Sequence, residues 1–265
     1  NSPTRSLFVR DLKTSFIIDN AATLTMLFPS SDLNHSFAPE SNVPVIADLN
    51  FSGSYSGVGM ILNQSFIGNM TEFGGGGVNN SFQSGRFSAS IPDLTSGEYS
   101  LQLVAYGMDD EILATSSIRR FTISSYSGSL PPTVSLADPS AFNAVTSTSI
   151  IPLSASGEDP DGALVDIQYF VDGVAYGSPL LRKAGITELS QNYATQLDLF
   201  SITRATGEDQ GIRSIFVIGR DNSGNYVTSD IHSISFTSGS QAPEINIPSG
   251  YLDFELNQTD FNSTL

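Results

Sequence analysis

Four acidic residues in the second half of the chain have the chemistry of a calcium site. Glu158, Asp159 and Asp161 lie in one loop, residues 157–162 (GEDPDG), and Asp221 lies in a turn that we expect at the same end of the same domain. Ca²⁺ prefers carboxylate oxygens presented by a glycine-containing loop. The full spacing of an EF-hand loop is missing, and Asp-Pro-Asp-Gly is also an ordinary turn sequence. A calcium site and a plain turn both remain open.

Catalytic chemistry has no comparable pattern. His35 and His232 stand far apart with no nucleophile motif near either, and the absence of cysteine excludes disulfides and thiolate metal sites. The glycine-rich residues 73–80 lack the Lys-Ser/Thr of a phosphate-binding loop. A glycosidase pair could be any two of the 27 acidic residues. We predict that the chain is not an enzyme and has no cofactor beyond calcium and N-linked glycans.

Seven Asn-x-Ser/Thr sequons are candidate glycosylation sites. Five of them fall within residues 34–79, two lie in the C-terminal tail, and residues 131–238 contain none. An Asn- and Ser-rich polar surface is the alternative explanation. Glycosylation would imply secretion. The sequon asparagines are Asn34, Asn50, Asn63, Asn69, Asn79, Asn257 and Asn262.

The composition limits both the class of protein and its partners. With 265 residues, 39% hydrophobic and 10% aromatic, the chain can form folded cores. A formal net charge of -16 disfavours nucleic acid and anionic membrane surfaces as partners. No segment approaches the roughly 20 apolar residues that cross a bilayer. We expect an extracellular or cell-surface protein with no membrane insertion.

Apolar residues at period two occur in two series of runs, separated by Gly, Pro and Asn turns. The first series occupies residues 21–125 (module 1) and the second residues 131–238 (module 2), with a Ser- and Gly-containing linker between them. This duplication predicts an all-β protein of two tandem antiparallel β-sandwiches with essentially no helix. Residues 242–265 follow as a C-terminal extended segment or the start of a further repeat.

Four segments of module 2 carry a family likeness: residues 131–139 (PPTVSLADP), 157–162 (GEDPDG), 167–177 (IQYFVDGVAYG) and 217–229 (VIGRDNSGNYVTS). They resemble the bacterial Ig-like domains found in tandem on surface and secreted proteins. Module 1 matches more loosely and has NFSGSYSG, residues 50–57, where the acidic loop should be. The resemblance implies Ig-like sandwiches and leaves the function open, because this fold hosts many unrelated functions.

Residues 1–20 lie outside both series. Residues 7–18 (LFVRDLKTSFII) have the pattern of a strand, with Phe8, Leu12, Phe16 and Ile18 on one face. Three basic residues against one acidic residue before position 19 make this segment positive in an acidic chain. Such a strand is attracted to the surface of a neighbouring copy. The alternative is that it folds back on module 1 of its own chain.

A free strand before two such domains also resembles the subunits of extracellular fibres joined by strand donation. In that family, an extended segment of one subunit completes the sandwich of the next. We therefore predict a structural subunit of an extracellular filament, assembled head-to-tail with copies of itself through Phe8, Leu12, Phe16 and Ile18. The alternative is a spacer or carbohydrate-binding pair of Ig-like modules from a secreted adhesin or polysaccharide-degrading enzyme. The absence of Trp disfavours sugar binding.

Overall fold

A computed structural model shows two antiparallel β-sandwiches, which confirms the predicted all-β, Ig-like architecture. Each sandwich has two facing sheets and a hydrophobic core between them. The structure describes residues 22–31, 36–75, 83–125, 128, 130–139, 142, 145–183, 190–206 and 210–239.

Module 1 comprises nine strands in these residues. They are β1 (Thr23–Phe28), β2 (Val43–Phe51), β3 (Tyr55–Leu62), β4 (Ser65–Asn69), β5 (Thr71–Gly75), β6 (Gln83–Ile91), β7 (Gly97–Gly107), β8 (Ile112–Thr115) and β9 (Arg119–Ile123). One sheet has the order β1-β2-β6-β5, and the other has the order β4-β3-β7-β8 with β9 also paired to β7.

Module 2 comprises eight strands and one helix in the described part of the chain. They are β10 (Thr133–Leu136), β11 (Ile150–Glu158), β12 (Leu164–Val171), β13 (Val174–Leu181), β14 (Ser190–Asp198), α1 (Leu199–Thr206), β15 (Gly211–Asp221), β16 (Tyr226–Thr228) and β17 (His232–Phe236). One sheet is β10-β11-β14, and the other is β13-β12-β15-β16 with β17 also paired to β15.

Alternation of apolar and polar residues explains most of these strands. In β11, Ile151, Leu153 and Ala155 are buried in the core of module 2, while the residues between them are more exposed. Successive side chains of a strand point to opposite faces of a sheet, so this pattern buries one face and leaves the other in water.

The strand β15 breaks this alternation. Ile215, Phe216, Val217 and Ile218 are four consecutive buried apolar residues. Ile215 and Val217 belong to the core of module 2, whereas Phe216 and Ile218 pack into the core of module 1. A strand with both faces buried needs a layer on each side, and the second layer here is the other module.

One short helix, α1, accompanies the strands in the described part of the chain, in agreement with the prediction of essentially no helix. Asp198 precedes it and caps its first turn: its carboxylate accepts hydrogen bonds from the Phe200 and Ser201 backbone amides and, at 2.6 Å, from the Ser201 hydroxyl. These bonds, led by the one from the Ser201 hydroxyl, lower the pKa of Asp198. With only eight residues, the helix is too short for its apolar spacing to stand out in the sequence.

Candidate functional site: the junction between the two sandwiches

The sequence-predicted donor residues Phe8, Leu12, Phe16 and Ile18 lie outside the described residues. The same holds for His35 and for the sequons at Asn34, Asn79, Asn257 and Asn262. The side chains of Asn50, Asn63 and Asn69 are exposed. His232 lies on β17 with Nδ1 3.5 Å from Asp138 Oδ1, and no nucleophile arrangement forms around it in the described part of the chain.

The acidic loop and the following turn do lie together at one end of module 2. Asn222 donates its backbone amide to the Ala163 carbonyl, which joins the turn to the loop. The Asp221 carboxylate accepts three hydrogen bonds within its own turn, from the Ser223 and Asn225 amides and the Asn225 side chain. Glu158 is exposed. Among the described residues, no three acidic or histidine side chains converge as a metal-binding group.

The two modules meet at a junction where residues of both share one hydrophobic core. Phe28, at the end of β1, packs edge-to-face on Phe216 of β15 and on Phe170 of β12, with ring centroids 5.1 and 5.5 Å apart. Phe170 and Phe216 stack on each other at 5.0 Å. Aromatic pairs at these distances add to the stabilisation that burial alone provides. Apolar packing therefore fixes the position of one sandwich on the other.

Backbone hydrogen bonds cross the same junction. Phe37, in the connection between β1 and β2, forms parallel bridges with Ile123 of β9 and with Tyr226 of β16. The Ala38 amide donates to the Tyr226 carbonyl at 2.7 Å, and the Ser124 amide donates to the Phe37 carbonyl at 2.8 Å. The two five-stranded sheets are thus connected through Phe37 and Ala38, so relative motion of the modules would break a main-chain hydrogen bond.

A buried charged cluster lies beside the aromatic rings. Asp172, in the turn between β12 and β13, accepts hydrogen bonds at 2.9 Å from Arg86 of module 1 and from Arg213 of module 2. Arg86 also forms a two-bond pair with Asp48, and the Ser214 amide donates to Asp172. Burial raises the pKa of Asp172, and the charges of Arg86 and Arg213 oppose that shift. One carboxylate therefore joins a cation from each module.

The turn that carries Asp172 is shaped for this contact. Asp172 and Gly173 have φ angles of 51° and 77°, the left-handed conformation of a two-residue hairpin turn. A Cβ atom on Gly173 would lie 3.0 Å from Phe28 Cβ and 3.2 Å from atoms of Leu27. Glycine is required here both for its conformation and for the close approach of β1.

Sequence reasoning did not identify this junction. Two signals point to it in retrospect: the unbroken apolar run in β15, and Arg213 within that strand, which is fully buried with its guanidinium carbon 5.1 Å from the Phe236 ring centroid. A charged residue in a strand that is buried on both faces requires a partner carboxylate.

No family model matches the sequence, and no curated protein matches it. Among solved structures, the chain is similar to the fibronectin(III)-like modules of Clostridium thermocellum CbhA, with 18% identity, a TM-score of 0.32, and coverage of 83% of this chain and 98% of that one. It is also similar to red sea bream transglutaminase, with 8% identity, a TM-score of 0.29, and coverage of 85% of this chain and 32% of that one. Within the described residues, no helix has the length and hydrophobicity to cross a membrane.

Proposed function

We propose that this chain is a non-enzymatic structural subunit of an extracellular filament, and that its two sandwiches act as one rigid body. The shared core at Phe28, Phe170 and Phe216 is the observation that carries this proposal. A structural subunit must hold its ends in a fixed relation. Two domains joined by a flexible linker would not hold their ends in a fixed relation. A junction with buried aromatic rings, main-chain hydrogen bonds and a charged cluster does.

Assembly proceeds by donation of the N-terminal strand, residues 7–18, to module 2 of the next copy. The edge strand β13 is the acceptor, because it leaves Val174 and Leu181 exposed at 63% and 69%. An edge strand offers unpaired backbone groups to an incoming strand. Both described sandwiches already pair their own first and last strands, so the donated strand extends a sheet instead of filling a missing core position.

Glycans on Asn50, Asn63 and Asn69 of module 1 would cover part of its surface, including the edge strand β4. Asn63 and Asn69 flank β4, whose Phe66 and Ile67 are 51% and 42% exposed. Carbohydrate there would hinder strand addition at β4 and direct it to module 2, which has no sequons. N-glycosylation of these asparagines would imply secretion, which supports a location outside the cell.

The completeness of both sandwiches favours a second candidate function. A spacer within a longer secreted protein would need the same rigid junction and no donated strand. The two candidates differ in one solution property, because a spacer remains monomeric in pure form, while a filament subunit forms ladders of increasing size.

Engineered cysteines test strand donation directly, since the chain contains no cysteine of its own. We expect a mixture of the Leu12→Cys and Leu181→Cys variants, one of them isotopically labelled, to form mixed disulfide dimers that mass spectrometry distinguishes from like pairs. The reason is that a strand added along β13 lies beside residues 174–181 of another copy, and a register that sets position 12 opposite position 181 brings the two sulfur atoms within bonding distance.

The control pairs Leu12→Cys with Phe66→Cys on β4, an exposed position in module 1. Mixed dimers should form much more slowly in that mixture. Equal yields from both mixtures would contradict donation to β13. A disulfide within single molecules of the Leu12→Cys/Leu181→Cys double variant, independent of dilution, would show that the strand stays on its own chain.

A further inference from the structure

One carboxylate oxygen in the acidic loop of module 2 is buried without a partner. Asp159 is 1% exposed, and its Oδ1 accepts a hydrogen bond from the Asp161 amide at 3.3 Å. Its Oδ2 is also buried and receives no hydrogen bond from any described group. A buried carboxylate oxygen without a donor is costly, so such an atom points to a missing positive group.

A second oxygen acceptor faces the same point. Asn222 Oδ1 accepts a hydrogen bond from the Ala163 amide, which fixes the oxygen of this side chain toward the loop. A Cβ atom built on Gly162 would lie 2.6 Å from Asp159 Oδ2 and 2.5 Å from Asn222 Oδ1. Both oxygens therefore lie against Gly162, where a residue with a Cβ atom would displace them. Of these two acceptors, only Asp159 Oδ2 lacks a donor, and a cation or a proton between them would satisfy it.

The surrounding charge is negative. Asp221 and Asp161 lie near Asp159, and their negative charges act on it. No described Lys or Arg pairs with Asp159 in this cluster. The side chains are all oxygen donors, which is the ligand type that Ca²⁺ prefers and that softer metals do not.

We infer that Asp159 Oδ2 and Asn222 Oδ1 bind a calcium ion whose remaining ligands are water. Asp221 supports the site by shaping the turn that presents Asn222, and Asp161 adds negative charge beside it. Because no three acidic side chains of the described residues share a metal position, the affinity lies at the weak end, about 10⁻⁴–10⁻³ M, as in extracellular modules.

Bound calcium would hold together two segments of module 2 that are far apart in the sequence. It joins the β11–β12 loop to the β15–β16 turn, and the same loop holds the end of the linker before module 2 through the hydrogen bond from the Leu130 amide to Asp161 Oδ2. The site is independent of strand donation, so either proposal can fail without the other.

The test is a titration of the full chain with CaCl₂, followed by backbone amide chemical shifts and by denaturant unfolding. We expect saturable shifts at Asp161, Ala163 and Asn222. For a Kd of about 1 mM, 10 mM Ca²⁺ should raise the folding equilibrium constant about tenfold. MgCl₂ at equal ionic strength should do less, because Mg²⁺ gives up its water reluctantly.

Three variants make the test specific. Asp159→Asn should abolish the calcium response, Asn222→Asp should tighten binding about tenfold, and Asp230→Asn, an exposed acid of the same module, should change neither. An absence of saturable shifts at 10 mM calcium in the native chain and in Asn222→Asp would overturn the inference. If Asp159→Asn is more stable than the native chain and neither responds to calcium, the inference is wrong, and a proton shared between Asp159 Oδ2 and Asn222 Oδ1 explains the buried oxygen instead.

Discussion

Replacing Asp172 by alanine is expected to lower the free energy of unfolding by about 3–5 kcal/mol. The change leaves Arg213, whose side chain is 1% exposed, and Arg86, at 14%, without their common carboxylate. A buried guanidinium that loses its partner keeps the cost of desolvation and loses the compensating attraction. Urea unfolding at neutral pH, followed by circular dichroism, measures the effect.

Asp166→Ala is the matched control. The Asp166 and Asp172 side chains are both 12% exposed, and each pairs with arginine, but the Arg220 partner of Asp166 is 41% exposed and can return to water. We expect a loss of about 1 kcal/mol or less for this variant. Similar losses for the two variants would mean that the Asp172 cluster does not hold the junction.

The second large effect is expected for Phe216→Ala. Phe216 is fully buried between the modules, against Phe28 and Phe170. Removal of its ring should cost about 3–5 kcal/mol, the range for buried Phe→Ala changes. Because the cavity lies at the junction, the unfolding of module 1 and module 2 should also separate into two transitions, which calorimetry would resolve.

Phe87→Ala provides the comparison for that separation. Phe87 is 1% exposed and packs within module 1, with its ring centroid 5.9 Å from that of Tyr55. This variant should lose a similar amount of stability yet retain a single transition. If Phe87→Ala splits the transition as Phe216→Ala does, general destabilisation explains the splitting and the junction has no special role.

Much of the fold is predictable from local sequence. Strands with one buried face, such as β11, are predicted by their alternation of apolar and polar residues. The Asp172-Gly173 dipeptide between two apolar runs predicts the β12–β13 hairpin that the structure contains. These features depend on residues that are neighbours in the chain. The cap at Asp198 is equally local, but the helix that it begins is too short to yield a periodic signal.

The junction could not be predicted in the same way, because its parts are distant in sequence. Arg86 and Asp172 are separated by 86 positions, and Phe28 meets Phe216 across most of the chain. The duplication itself favoured the picture of independent modules on a linker. The apolar run in β15 was visible, but period alone does not distinguish a strand covered by a second module from one buried within its own sandwich.

The acidic loop was found from residue types, and its detailed geometry was not. The sequence correctly predicted that the acidic loop, residues 157–162, lies beside the turn that contains Asp221. The sequence does not show that the Asp221 carboxylate accepts hydrogen bonds from its own turn. Nor does it show that the amide oxygen of Asn222 lies near Asp159. Those outcomes depend on which hydrogen bonds each side chain makes after folding.

Differential scanning calorimetry of the native chain tests the central claim, that the two sandwiches form one body. A cooperative unit of both modules gives a calorimetric enthalpy equal to the van't Hoff enthalpy. The shared core, the bridges at Phe37 and the Asp172 cluster predict a ratio near one. A ratio near two, or two resolved transitions, would mean that the modules unfold independently and would contradict the account.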